Sequence, residues 1–220
     1  MVARFIDATA LLQSLNLPPW PDDGSESAQS DLAGVLAAQA ARTAADAADA
    51  LVDATRSPVA WAQDAKALGP GFTAQCYPLA SALLVALHND MRLVNRAANQ
   101  HRGIRNRPAL VDARVVPSLP VDNVNRASYP SARAASSRVW ALLLADIFPQ
   151  RRDALISQAE RSASLRLLAG VHFPSDIAAG RLVGSAAYAW LKTNGHFREA
   201  LEMAKRDSAS PAPCRPPIPP

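Results

Sequence analysis

Apolar residues recur at helical spacing along most of this chain, and no segment alternates apolar and polar residues as a β-strand does. Proline and glycine separate the helical segments, and four prolines between positions 104 and 130 exclude a long helix there. The predicted helices are about 30–54, 58–68, 78–99, 132–147, 150–168, 176–192 and 196–206. With 220 residues, the chain suits one compact domain. We therefore predict an all-α, single-domain helical bundle.

The helical part lies between two segments of different composition. Residues 1–29 contain the loop-like stretch PPWPDDGSES and are predicted to be an irregular N-terminal segment. Residues 30–207 form the predicted helical domain, with Ser30 or Asp31 capping its first helix. Residues 208–220 contain six prolines and predict a disordered tail.

Small residues line one face of the predicted helix 176–192. Gly180, Gly184 and Ala187 fall along the same stripe of that helix. Because such residues let another backbone approach closely, we expect a neighbouring helix to pack tightly there.

Composition argues against two classes of function. No apolar run reaches the roughly 18 residues that a membrane span needs. The net charge is +4, but aromatic residues make up only 5% and no nucleic-acid-reading motif is present. We therefore expect neither a membrane span nor nucleic-acid binding.

Three polar segments are unusual for a plain helical bundle: residues 100–108 (QHRGIRNRP), 128–133 (SYPSAR) and 165–176 (LRLLAGVHFPSD). Arginine forks bind phosphate oxygens in pairs, and a serine at a helix start adds a hydroxyl beside backbone N–H groups. A histidine with a carboxylate partner can act as a nucleophile. The segments together predict a phosphate site centred on His172 and Asp176. Taken singly, Asp176 and Ser131 also suit helix caps, and His172 a structural histidine.

The order and spacing of these residues resemble the class A bacterial acid phosphatases, in the superfamily of type-2 phosphatidic acid phosphatases and vanadium haloperoxidases. The family's signature is Lys, six residues, Arg-Pro; then Pro-Ser-Gly-His; then Ser-Arg, five residues, His, three residues, Asp. The matching residues here are Arg107-Pro108, Pro130-Ser131, Arg166, His172 and Asp176. The resemblance covers about residues 85–206.

This resemblance implies a mechanism as well as an all-helical fold. His172 would attack phosphorus and form a phosphohistidine, and Asp176 would hold the other ring nitrogen. Neither a metal nor another cofactor is required. The positions that bind phosphate in the family fall on Gln100, Arg107, Ser131, Ala132, Arg133 and Arg166.

Four residues, at three places, depart from the signature. The family's lysine falls on Gln100, its Gly-His pair on Ala132-Arg133, and the serine that begins its third motif on Leu165. In the family, the histidine replaced by Arg133 protonates the leaving alcohol, whereas a guanidinium with a pKa above ~12 keeps its proton. Alkyl phosphates should therefore react poorly, and phenolic, acyl or phosphoanhydride leaving groups better. Arg102, Arg105 or Arg133 could restore the cation lost at Gln100.

Two classes of function remain open. One is a phosphatase or phosphotransferase of altered scope that acts through His172. The other is a catalytically inactive relative that binds a phosphorylated ligand or a protein partner. Chemistry with bound vanadate is a third alternative. The expected ligand is a phosphorylated small molecule, and assembly into a homo-oligomer is left open.

Cellular location is also an expectation from the resemblance. Class A relatives are secreted to the periplasm, but Asp7 and Gln13 interrupt the stretch that a signal peptide would keep apolar. We predict that the natural gene begins upstream or has lost export, with a cytoplasmic location if the chain is complete as it stands. Fractionation of cells expressing the full native gene tests this. A periplasmic product fits our preferred reading, and a cytosolic one contradicts it.

Overall fold

The computed structural model describes residues 5–64, 66–101, 103–122 and 126–210. Within these ranges every regular element is helical, apart from one isolated β-bridge between Asn106 and Ala127. The α-helices are α1 (Ala8–Ser14), α2 (Glu26–Ala41), α3 (Ala44–Thr55), α4 (Pro58–Ala62), α5 (Pro78–His101), α6 (Pro108–Val111), α7 (Ala132–Ile147), α8 (Arg152–Leu168), α9 (Pro174–Thr193) and α10 (Gly195–Ala209). The predicted all-α class is confirmed.

The hydrophobic core is arranged around α7, which packs against α5, α8 and α9. Its buried face includes Trp140, Leu143 and Leu144. Trp140 meets Trp61 of α4 edge to face, with ring centroids 5.6 Å apart, a geometry that aromatic pairs prefer. The main core cluster therefore joins helices from both halves of the chain. In the part of the chain that the structure describes, no helix is both long and apolar enough to cross a membrane.

The predicted start of α4 is confirmed, but its predicted end is wrong. The Ser57 hydroxyl caps the helix and Pro58 takes the first helical position. The helix stops at Ala62 rather than before Gly69. Gly69 lies in a later turn with φ 81°, a left-handed conformation that glycine adopts readily, and its N–H donates to the Asp64 carbonyl.

The predicted helix 30–54 is two helices in the structure. Thr43 and Asp46 form a capping box, in which each side chain accepts the other residue's backbone N–H at 3.1 Å. This box begins α3 and separates it from α2. The first helix also starts earlier than expected, because Ser25, and not Ser30 or Asp31, provides its N-cap.

Both ends of the chain are more helical than predicted. Within the predicted irregular segment 1–29, Asp7 caps α1 by accepting from two backbone N–H groups, and α2 begins at Glu26. Burial of Leu11 and Leu12 fixes α1 against the core. At the other end α10 continues to Ala209, so the predicted disordered tail cannot begin at residue 208. Residues 211–220 of that tail lie outside the described residues.

Close packing of α9 on α7 confirms the expectation from its small residues. A Cβ added at Gly180 would lie 2.5 Å from the carbonyl oxygen of Ser131, and one added at Gly184 would lie 2.5 Å from that of Ala135. Ala187 continues the same stripe and is completely buried. The start of α9, which carries Asp176, is therefore held directly against the start of α7.

We expect Gly184→Ala to lower the free energy of unfolding by about 1–3 kcal/mol, because the new methyl group overlaps Ala135 and Arg138. Gly195→Ala is the matched control, since a Cβ there meets no atom within 4 Å and should be neutral or slightly stabilising. Urea denaturation compares the two variants with the parent chain. Unchanged stability in Gly184→Ala would contradict the close approach of α7 and α9.

Candidate active site

The three polar segments identified in the sequence come together around the turn between α8 and α9. The backbone N–H of Ser131 donates to the carbonyl of Asp176 at 2.9 Å, which joins the start of α7 to the start of α9. Residues 105–107 run antiparallel to residues 126–128, through backbone hydrogen bonds of 3.0 and 2.9 Å. Segments that are distant in the sequence thus lie next to one another.

His172 is held from both sides of its ring. The side chain is buried, with Nδ1 2.8 Å from the carbonyl oxygen of Ser128 and Nε2 3.2 Å from a terminal nitrogen of Arg107. A guanidinium can only donate, so Nε2 must accept the hydrogen bond. Nδ1 then carries the proton and donates it to Ser128. The contacts therefore select the tautomer in which Nε2 has the lone pair.

The surroundings of His172 favour the neutral imidazole. Burial lowers its pKa below the ordinary value, and the positive charges of Arg107 and Arg166 lower it further. Contact with Asp176 raises the pKa but does not outweigh burial. The neutral ring, which is the nucleophilic form, therefore persists to a lower pH than in a solvated histidine.

Asp176 holds His172 less directly than the sequence suggested. Its Oδ2 is 3.6 Å from Nδ1, farther than the Ser128 carbonyl. The same oxygen accepts from the Ser128 hydroxyl at 2.6 Å and from the backbone N–H of Phe173 at 2.8 Å. Burial alone would raise the pKa of Asp176, but contacts with His172, Arg105 and Ser128 lower it below its usual value. Ser128, which begins the polar segment 128–133 but had no predicted role, is therefore a joint partner of His172 and Asp176.

Arg105 is an ion-pair partner of Asp176. Its guanidinium donates to Asp176 Oδ1 at 2.6 Å, to the Ser175 hydroxyl at 2.7 Å and to Asp31 Oδ2 at 2.8 Å. It also lies 4.0 Å from the ring centroid of Phe173. Asp31 on α2 in turn accepts from the Ser175 backbone N–H. The suggestion that Arg105 replaces the lysine missing at Gln100 is therefore not supported, because the Arg105 guanidinium forms ion pairs with Asp31 and Asp176.

Arg133 and Arg166 share one carboxylate, that of Asp53 on α3. Arg133 Nε and Arg166 Nη2 each lie 3.3 Å from Asp53 Oδ2. Arg133 also donates to the main-chain carbonyl of Asp53, and Arg166 to that of Ala50 at 2.8 Å. Burial lowers the pKa of Arg133 and lowers that of Arg166 to about 10, so both remain charged at neutral pH. Asp53 had no role in the sequence analysis.

The remaining predicted positions have simpler surroundings. Ser131 is completely buried and caps α7 through a 3.5 Å contact with the Ala134 N–H, and Ala132 is the first residue of that helix. Gln100 is exposed near the end of α5. Arg102 lies outside the described residues. Among the described residues, no group of three or more His, Cys, Asp or Glu is placed to hold a metal ion.

Comparisons with known proteins show the family to which the chain is similar. A family model described as the PAP2 superfamily matches residues 70–199. The chain is 35% identical over 82 residues to a non-specific acid phosphatase of Providencia stuartii, covering 37% of this chain and 33% of that protein. It is 34% identical over 80 residues to one of Salmonella typhi, covering 36% and 32%. It is 26% identical over 136 residues to an acid phosphatase of Zymomonas mobilis, covering 61% and 51%. The matches thus span from about a third to half of these relatives' lengths.

We expect His172 to stay neutral to a lower pH than a solvated histidine, with its proton on Nδ1, because burial and the neighbouring arginines lower its pKa. Long-range ¹H–¹⁵N spectra of the labelled full chain, recorded over a pH titration, measure both charge and tautomer. His172→Gln assigns the signals. A His172 pKa at or above that of a solvated histidine, or a proton on Nε2, would contradict the geometry described above.

Proposed function

This chain belongs to the PAP2 superfamily, and we propose that it is an acid-phosphatase-like enzyme that hydrolyses phosphomonoesters or transfers their phosphoryl group through His172. The observation that carries the proposal is the orientation of the His172 ring. Nδ1–H faces the Ser128 carbonyl, and Nε2 faces Arg107. A phosphate oxygen that takes over this Arg107 N–H from Nε2 would free the Nε2 lone pair and bring phosphorus next to it. The names of the similar proteins support the same class of reaction.

The proposed reaction has two displacements at phosphorus. Nε2 attacks phosphorus while the bond to the leaving oxygen breaks, and that oxygen departs with the electron pair. Water then attacks the phosphohistidine, which releases inorganic phosphate and restores the imidazole; an alcohol in place of water gives transfer. Arg107 and Arg166 would bind the non-bridging oxygens, where charge is stabilised.

The groups around Nδ1 suit this chemistry. Phosphorylation of Nε2 makes the ring cationic, and the Ser128 carbonyl together with the Asp176 carboxylate would stabilise that charge. Arg105 and Asp31 would fix Asp176 in place while the ring changes charge. The pairings also explain why a buried carboxylate is tolerated next to the nucleophile.

Protonation of the leaving group is the weak step in this proposal. The position that supplies the proton in the family holds Arg133, whose guanidinium contacts Asp53 and keeps its own proton. A second candidate function follows from the same observation. Without an acid there, the chain would be a catalytically inactive relative that binds a phosphorylated ligand. Turnover of a substrate with a good leaving group separates the two candidates.

We predict that aryl phosphates are cleaved far faster than alkyl phosphates, because the departing oxygen must carry its negative charge unaided. General acid catalysis is typically worth about 100- to 10,000-fold. Arg133→His combined with Ala132→Gly should therefore raise alkyl turnover selectively. Steady-state rates for a series of phosphate esters measure how turnover depends on the pKa of the leaving group. Gln100→Lys is added to the series to test whether the missing lysine also limits turnover.

His172→Ala should abolish turnover in every background, because it removes the nucleophile. Equal rates on aryl and alkyl phosphates in the parent chain would mean that another group supplies the proton. Activity retained in His172→Ala would rule out the proposed mechanism. Phosphate binding with no turnover of any aryl phosphate would favour the inactive relative.

A further inference from the structure

Asp53 is a buried carboxylate in contact with two arginines at predicted phosphate-binding positions. The residue is 3% exposed. Oδ2 lies 3.3 Å from both Arg133 and Arg166, and Oδ1 accepts from the Ser162 hydroxyl at 2.7 Å. The Ser162 oxygen is itself fixed by the indole N–H of Trp61 at 2.9 Å. Both carboxylate oxygens thus have ordered partners.

Local helix structure does not account for an acid at this position. Asp53 lies in the last turn of α3, where the helix dipole disfavours a negative side chain. Burial disfavours it further unless cations pair with it. The two arginines are therefore what stabilises the Asp53 carboxylate.

The two arginines are held to different degrees. Arg133 contacts both the carboxylate and the main-chain carbonyl of Asp53, and its guanidinium lies 5.5 Å from the ring centroid of Trp140. Arg166 is anchored through Nη2, while its buried Nε has no hydrogen-bond partner among the described residues. Arg166 also lowers the pKa of His172. Within the described part of the chain, Arg166 therefore keeps one donor without a protein partner, whereas the hydrogen bond and ion pair described for Arg133 both go to Asp53.

We propose that Asp53 is an affinity-determining residue, an internal counter-anion that holds Arg133 away from the phosphate site and offsets part of the positive charge there. The inference rests on the proposed function for the location of the phosphate next to His172. A phosphate dianion that approaches Arg107 and Arg166 is attracted by the two guanidinium groups and repelled by the Asp53 carboxylate. Arg133 and Asp53 together act as a neutral pair, so removing either charge alone changes phosphate affinity, but removing both does not.

A double-mutant cycle on the full chain tests this inference. The variants are Asp53→Asn, Arg133→Met and the combination, with Kd for inorganic phosphate measured by titration calorimetry and folding checked by thermal denaturation. Asp49→Asn is the matched control. Asp49 lies one turn earlier on α3, with a side chain that is 61% exposed and paired with Arg161 at the surface.

We expect Asp53→Asn to bind phosphate about tenfold more tightly, and Arg133→Met about tenfold more weakly, because a buried charge near the anion is added or removed. The combination should return to within about threefold of the parent chain, as expected for a neutral pair. Asp49→Asn should change little. If Asp53→Asn does not fold, the comparison of Arg133→Met with the combined variant still tests the inference. The combined variant should bind phosphate more tightly than Arg133→Met does.

Other outcomes overturn the inference. Unchanged or weaker binding in a folded Asp53→Asn contradicts it while leaving the phosphate site intact. A combination as weak as Arg133→Met would show that Arg133 is itself a phosphate ligand. Absence of phosphate binding in the parent chain and in every variant would overturn both this inference and the proposed phosphate site.

Discussion

The imidazole of His172 is clamped between an obligate acceptor and an obligate donor. The Ser128 carbonyl takes the proton of Nδ1, and Arg107 donates toward Nε2. Burial lowers the pKa of the ring and so favours its neutral form. Because Ser128 and Arg107 belong to two paired segments and His172 to the turn before α9, the clamp depends on the close approach of α7 and α9 at Gly180 and Gly184. The packing of α7 against α9 thus helps to fix which ring nitrogen of His172 carries the lone pair.

Two groups of buried charges surround this clamp. On one side, Arg105 joins Asp31 to Asp176 and so fixes the carboxylate behind the ring. On the other, Asp53 pairs with Arg133 and Arg166. Buried pairs of this kind are costly to break because each partner is left uncompensated. Under the proposed function, the two groups would determine which cations can contact a bound phosphate.

Much of this arrangement was predictable from local patterns. Helical spacing, the Ser57-Pro58 start and the small residues of α9 depend on neighbours in sequence, and the spacing of Arg166, His172 and Asp176 resembles a known family. The roles of Ser128, Asp31 and Asp53 were not predictable, because their partners lie 44 to 144 positions away. The ion pairs of Arg105 with Asp31 and Asp176, and of Arg133 with Asp53, were not predictable for the same reason. The sequence alone does not distinguish an arginine that binds a ligand from one that pairs with an aspartate. The capping box at Thr43 lies within a continuous alanine-rich pattern that predicts a single helix, although its Thr and Asp have the spacing of a helix start.

The proposed mechanism requires Nε2 of His172 to take the phosphoryl group. Rapid acid-free quenching of the full chain during turnover of an aryl phosphate, followed by ³¹P NMR and peptide mass spectrometry under alkaline conditions, identifies the phosphorylated atom. We expect one phosphoramidate, on Nε2 of His172, that decays as inorganic phosphate forms. A phosphoryl group on Nδ1 or on another residue, or steady turnover without any phosphorylated protein, would contradict it.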